Sequence, residues 1–165
     1  MSTAPLFCAR PSKQTVETVI AALLERFGNR AVTGEAVCAQ HGHTRSYLET
    51  QAPDIVVWPE NTEEVAEIVR LCAHHVVPVI PFGTGTSLEG HVNAPLGGVC
   101  VDLSHMNQII AIHAEDLDCV VGPGVTRKLL NETLRDQGLF FPIDPGADAS
   151  IGGMASTRAS GTNAV

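Results

Sequence analysis

Gly83-Thr84-Gly85-Thr86-Ser87 sets three hydroxyl side chains and two glycines in a row, entered through Pro78-Val79-Ile80-Pro81-Phe82 and closed by Gly90. Glycine allows φ > 0 and lets a ligand approach the main chain without meeting a Cβ. Successive amides in such a turn converge on a concave anion site, which would suit a pyrophosphate. The loop holds no lysine or arginine, so dipoles and hydroxyls would have to carry the phosphate. A plain Gly/Thr turn is the alternative that this stretch leaves open. Two familiar phosphate loops are excluded. Gly85 and Gly90 have P-loop spacing, but His91-Val92 follow where Lys-Ser/Thr is required. The dinucleotide fingerprint G-x-G-x-x-G fails at Leu88.

A second cluster of small residues runs from Asp144-Pro145-Gly146 through Ser150-Ile151-Gly152-Gly153 to Ser156, and Gly161-Thr162 continue it. Ser150 reads as the cap of a short helix opening at Ile151, and a helix N-terminus attracts anions and polar ligand edges. Close packing of backbone on backbone is the competing reading. Two such clusters, each fed by strands, fit one long ligand contacted at both ends, and a dinucleotide is the obvious candidate.

Other reactive residues point nowhere in particular. His41 and His43 straddle a glycine, and His74-His75 sit together at a helix end, where adjacent residues point in different directions; no metal site is expected. Ser150 and Ser156 lack a nucleophile-elbow context, which argues against a hydrolase. Asp116 and Asp118 read as a solvated turn.

The elements that must position the two clusters follow from periodicity. Val16, Val19, Ile20, Leu23, Leu24 and Phe27 form one helical face stopped by Gly28. Residues 32–43 read as a short strand and loop, and 55–58 as a buried strand ended by Pro59. Thr62 reads as an N-cap with Glu63 and Glu64 in the first turn. Val65, Ile68, Val69 and Cys72 would face the core. Residues 76–81 read as the next strand, so strand–helix–strand implies a parallel pair with a right-handed crossover. Strands follow at 98–103, 109–113 and 119–122, then a helix over 126–137 carrying Leu129, Leu130 and Leu134. Prolines keep 140–146 extended or turning.

Composition bounds these readings. The chain has 165 residues, 44% hydrophobic and 17% charged, which suits a single globular domain. A net charge of −8 with no Lys/Arg cluster argues against nucleic acid. The five cysteines, Cys8, Cys38, Cys72, Cys100 and Cys119, are scattered and odd in number, so a reducing compartment is expected rather than a disulfide framework. Neither a signal peptide nor a transmembrane segment is evident. The expected location is cytoplasmic.

Pro53-Asp54-Ile55-Val56-Val57-Trp58-Pro59-Glu60-Asn61-Thr62-Glu63-Glu64-Val65, followed by Pro81-Phe82-Gly83-Thr84-Gly85-Thr86-Ser87-Leu88-Glu89-Gly90-His91, resembles the FAD-binding domain of the vanillyl-alcohol oxidase/PCMH superfamily. Val101-Asp102-Leu103-Ser104, Val121-Gly122-Pro123-Gly124-Val125, Asp144-Pro145-Gly146 to Gly152-Gly153, and Ala159-Ser160-Gly161-Thr162-Asn163-Ala164-Val165 extend the match in order. Within that superfamily it is most similar to the branch of cytochrome-type D-lactate dehydrogenases and the FAD subunit of glycolate oxidase.

The resemblance implies an α+β fold, with a small parallel βαβ subdomain followed by the start of a mixed or antiparallel sheet subdomain with helices. It implies residues 1–30 as an N-terminal helix region and 31–165 as a FAD-binding PCMH-type domain incomplete at its C-terminus, the substrate domain being absent. Pro81, Phe82, Gly83, Thr84, Gly85, Thr86 and Ser87 would wrap the FAD pyrophosphate. Pro145, Gly146, Ile151, Gly152 and Gly153 would border the isoalloxazine or ribityl arm, with Ser156 and Gly161 lining the same trough. Members that attach FAD through the first loop carry His in an R-x-G-G-H run; Thr86 takes the comparable position here, so non-covalent FAD is expected. The implied activity is oxidation of a small D-2-hydroxy acid, D-lactate or glycolate, with electrons leaving to a cytochrome or quinone chain. No catalytic residue falls within the chain on this reading, and the fragment by itself should be inactive. The rival readings are a non-catalytic orphan FAD-binding module or a partner-dependent fragment. Oxidase or non-redox chemistry of superfamily relatives also stays open.

Overall fold

The computed structural model describes residues 9–161. Cys8 and the first residues of the chain, and residues 162–165 of the small-residue run, lie outside the described residues. The chain divides into two compact units. One holds the residues up to Pro81 together with Ser87–Val101, and the other holds Phe82–Thr86 together with the residues from Asp102 onward.

In the first unit, helix α1 (Lys13–Phe27) opens where the Ser12 hydroxyl accepts the Thr15 amide and ends where Gly28 takes φ 55°. Of the face that the spacing predicts, Val16, Val19, Leu23 and Phe27 are buried, whereas Ile20 is half-buried and Leu24 is exposed. The sheet runs in the order β1 (Ala31–Val32), β2 (Ile55–Val57), β4 (Val99–Asp102), β3 (Val79–Phe82). Strand β1 is antiparallel to β2, and β2 is parallel to β4. β4 therefore separates β2 from β3. The expected neighbours across the strand–helix–strand unit do not pair directly, because β4, with Val99, Cys100 and Val101 all buried, takes the place between them.

Four expectations on local structure need correction. Residues 35–41 form a helix, α2 (Glu35–His41), rather than part of a strand and loop; its buried residues Cys38 and His41 lie one turn apart. Seven residues containing a β-branched valine are too few to register as helical periodicity. Helix α3 (Thr62–His75) is capped by Asn61, whose side chain accepts the Glu64 amide, so Thr62 is already helical. Val76 is the left-handed residue that ends α3 (φ 54°), and the strand begins only at Val79. Along α3 the buried residues are Glu64, Ile68 and Cys72, while Val69 is exposed.

Glu64 is buried because it has a partner. Arg30 donates to both its oxygens at 2.6 and 2.8 Å and to the Trp58 carbonyl, and Glu64 also accepts the Glu60 amide at 2.8 Å. The Arg30 hydrogen bonds hold the Glu64 carboxyl down to about 2 and raise Arg30 above its usual value. The pair ties the start of β1 to the start of α3. Burial pushes the Cys72 thiol up to about 11 and also raises Cys38, so neither is a ready nucleophile.

The second unit contains the antiparallel hairpin β5 (Ile109–His113) and β6 (Asp118–Val121), helix α4 (Arg127–Leu134) with a 3₁₀ turn to Gln137, and the short helix α5 (Ile151–Thr157). Val125, Leu130 and Leu134 form its buried centre, with Ile109, Ile112, Cys119, Val121, Leu139, Phe141 and Ile151 packed against them. Leu129, expected on the same face, is half exposed. Residues 140–146 carry no regular structure, as their prolines require. Asn131 holds that segment as a backbone surrogate, accepting the Phe141 amide at 2.6 Å and donating to its carbonyl at 3.4 Å.

Candidate functional site

Strand β3 delivers the chain into residues 83–87, which form bends rather than a hydrogen-bonded turn. Among the described residues, the amides of Thr84, Gly85, Thr86 and Ser87 donate no hydrogen bond. Four consecutive unengaged donors at a partly exposed loop are what an anion needs, and Thr84 and Thr86 add hydroxyls 3.2 Å apart. Gly85 adopts φ 64°, open at little cost only to glycine. An added Cβ there would meet the Phe82 ring at 2.8 Å, so Phe82 braces the loop from within.

The exit of the loop is fixed differently. The Ser87 carbonyl accepts from the buried Thr44 hydroxyl at 3.1 Å. The Ser87 hydroxyl lies 2.6 Å from Glu89 Oε2 and 2.7 Å from His91 Nδ1. That bond from Ser87 lowers the Glu89 carboxyl below its usual range. The Ser87 side chain is thus engaged by its own neighbours, while those of Thr84 and Thr86 hold only each other.

The second cluster has the opposite character. Ser150 caps α5, accepting the Gly153 amide at 3.3 Å. The Ile151 amide donates to the Val125 carbonyl at 2.7 Å, Gly152 to Pro123 at 2.9 Å, and Met154 to Ser150 at 2.9 Å. The Ser156 hydroxyl donates to the Gly152 carbonyl within the helix. Every donor in the first turn of α5 is therefore engaged. Its glycines serve proximity: a Cβ on Gly152 would stand 2.7 Å from Pro123 Cβ, and one on Gly161 would strike the Asp144 backbone.

The two clusters meet. An added Cβ on Gly83 would collide with Ser150 Oγ and lie 3.3 Å from Ser150 Cβ. Nearby in the sequence of α5, Asp144, Pro145, Gly146, Ser160 and Gly161 line a cavity of about 270 Å³. Of the residues predicted for a ligand, Pro145, Gly146 and Gly161 share this cavity; Ile151, Gly152, Gly153 and Ser156 lie on α5. Sequence reasoning passed over Asp144, Ser160 and the second contact of Ser150. Only the cap at Ser150 carried a signal. Among the described residues no cluster of three metal-ligating side chains exists, and no helix is long and apolar enough to cross a membrane.

A family model described as "FAD binding domain" matches residues 53–165. The chain belongs to the FAD binding domain family. Its fold is the α+β, PCMH-type one, and FAD is the cofactor of the family. The site fits that group on its own evidence: a row of unengaged amides for a pyrophosphate, and a cavity edged by Gly146, beside whose Cβ position no atom lies within 4 Å.

A probable mitochondrial D-lactate dehydrogenase of Danio rerio is 53% identical over 151 residues, covering 91% of this chain and 30% of the relative. The mitochondrial D-lactate dehydrogenase [cytochrome] of Arabidopsis thaliana is 53% identical over 113 residues, covering 68% of this chain and 20% of the relative. The solved structure of an alkyldihydroxyacetonephosphate synthase superposes with a TM-score of 0.80 at 21% identity, covering 98% of this chain and 32% of that one, a likeness of fold alone. The chain thus spans less than a third of the length of the curated relatives named here.

Proposed function

We propose that this FAD binding domain is the cofactor-holding part of a flavin-dependent D-2-hydroxy-acid dehydrogenase acting on D-lactate or glycolate. Identity of 53% to proteins named D-lactate dehydrogenase supports the substrate class. The observation that carries the phosphate site is the run of unengaged amides from Thr84 to Ser87. Gly83 to Ser87, with Pro81 and Phe82 behind them, hold the pyrophosphate by backbone donors and the Thr84 and Thr86 hydroxyls. Pro145, Gly146, Ile151, Gly152, Gly153, Ser156 and Gly161 border the ring or ribityl arm, and those of α5 do so by lacking bulk rather than by donating amides. The chemistry FAD supplies when bound is acceptance of a hydride at N5 from the carbinol carbon, giving a 2-oxo acid.

Thr86, at the point where covalently flavinylated members carry His, leaves the cofactor non-covalent. Electrons pass to a cytochrome or quinone-linked acceptor. No substrate-binding group is assigned within these 165 residues, and flavin binding without turnover is what we expect of them.

The test is a visible absorption spectrum of the purified chain after incubation with FAD and desalting, followed by acid precipitation. Flavin bands that remain with the protein and pass to the supernatant on precipitation are expected. Flavin left in the pellet would overturn the non-covalent assignment, and a colourless protein would overturn the reading that these 165 residues hold FAD by themselves.

A further inference from the structure

Arg127, the first residue of α4, is an unusual choice for its surroundings. Its Nε is buried and finds no hydrogen-bond partner among the described residues. A buried donor left unpaired is unfavourable, and a lysine or an aliphatic residue would avoid it. The guanidinium stands 3.7 Å from Asp144 Oδ1, with the two side chains about a quarter and a third exposed. That same Oδ1 accepts the Gly146 amide at 2.9 Å. Gly146 takes φ 81°, a conformation its own sequence leaves soft, and Pro145 has no amide to donate.

The surrounding backbone is anchored to the same helix start. The Arg127 amide donates to the Ala149 carbonyl at 2.9 Å, and the Lys128 amide donates to Asp148 Oδ1 at 2.9 Å. Thr126, which caps α4, forms an isolated antiparallel bridge with Ser150. The N-terminal turn of α4 therefore grips residues 148–150 through the main chain, and residues 144–146 through the Arg127 side chain alone. Asp144, Pro145 and Gly146 are three of the five residues lining the 270 Å³ cavity.

We propose that Arg127 is a positioning residue for the flavin: by holding the Asp144 carboxylate on the Gly146 amide, it fixes the wall of the cavity in which the flavin ring system lies. This inference rests on the FAD reading above. The unpaired Nε is tolerated because the charge is needed at Asp144.

The test uses the 165-residue chain and its Arg127→Ala, Arg127→Lys and Asp144→Asn variants. FAD affinity is followed by quenching of flavin fluorescence, ring geometry by the visible circular dichroism of the bound flavin, and folding by urea denaturation. Arg127→Ala keeps the backbone bonds of α4 and is expected to weaken FAD binding roughly tenfold, the scale of a lost preorganising contact, and to change the flavin dichroism. Asp144→Asn should do the same, and the double variant should be no worse than either single one. Arg127→Lys, which retains the charge, should recover most of the affinity and the dichroic band.

Unchanged affinity and dichroism in Arg127→Ala would overturn the proposal. So would a loss matched only by a fall in urea midpoint and not rescued by lysine, since that is the signature of a merely structural arginine. Failure of the unmodified chain to take up FAD is a different result: it would sink the reading that these residues hold the flavin, and this inference with it.

Discussion

Two glycine-rich segments of similar appearance do opposite things in this protein. From Thr84 to Ser87 the amides are left without partners, whereas at the start of α5 each amide is bound to a carbonyl or to the Ser150 hydroxyl. Gly85 is needed for its positive φ, which splays the loop open. Gly152 is needed because Pro123 leaves no room for a side chain. Glycine can expose backbone or bury it, and the partner of the amide decides which. Only the exposing kind leaves donors free for an anion. Gly83 belongs to both, since it opens the loop and also seats it on Ser150.

Disturbing the cluster whose amides are engaged should have the largest effect. Gly152→Val places a branched side chain against Pro123, with the first carbon 2.7 Å from Pro123 Cβ and 2.9 Å from its carbonyl oxygen. Backbone cannot move aside as a flexible side chain would, so a loss of about 3 kcal/mol is expected, at the upper end for overpacking. Urea unfolding measures it. A variant as stable as the parent would mean that α5 and residues 122–125 are not held together as described.

A control of comparable size comes from outside both clusters. Glu64→Gln breaks the bidentate pair with Arg30 and should cost about 2 kcal/mol, below the range for fully buried pairs because Arg30 keeps some exposure. Its sign with pH is fixed by the depressed folded value of about 2, against 4.5 for the free side chain. A lowered folded pKa means that the unfolded chain binds the proton first as pH falls. The stabilisation is therefore complete above the unfolded value and drains away between about pH 5 and pH 2. Glu64→Gln should flatten that acid limb while FAD affinity, measured at pH 7, stays within twofold of the parent. Lost affinity in this variant would show that lost stability alone can empty the site.

How far the sequence foretold this contrast is itself instructive. The open loop was legible because its spacing, small residues and preceding apolar strand all report on local backbone. The elements around Val19, Leu23, Ile68 and Leu130 were legible because burial follows helical period. What stayed hidden is long-range. Nothing in the order of residues says that the Ile151 amide will find the carbonyl of Val125, or that β4 will insert between β2 and β3. Helix α2 was missed because seven residues give barely two turns of pattern. Asp144 was passed over because a carboxylate between prolines reads as an ordinary turn former until Gly146 and Arg127 are seen on the same oxygen.

The open loop is best probed with the smallest substitution. Gly85→Ala adds one methyl carbon at φ 64°, 2.8 Å from the Phe82 ring. Left-handed backbone costs an alanine roughly 1–2 kcal/mol, and the ring must shift besides. The fold should survive with a modest fall in urea midpoint, while FAD affinity falls by at least roughly tenfold because the loop that carries the four free amides is distorted. If the loop is only a turn, stability and flavin retention will fall together and by little.

Gly146→Ala should have the smallest effect, and it separates conformation from contact. Its φ of 81° imposes a strain like that of Gly85, yet its Cβ would have no neighbour within 4 Å. A loss of about 1 kcal/mol in stability follows from backbone strain alone. Any effect on flavin beyond that must come from the methyl group entering space that is empty of protein. If the cavity edged by Gly146 receives the ring or its ribityl arm, the variant should lose several-fold in FAD affinity with little further change in urea midpoint. Equal affinity would place the flavin away from residues 144–146.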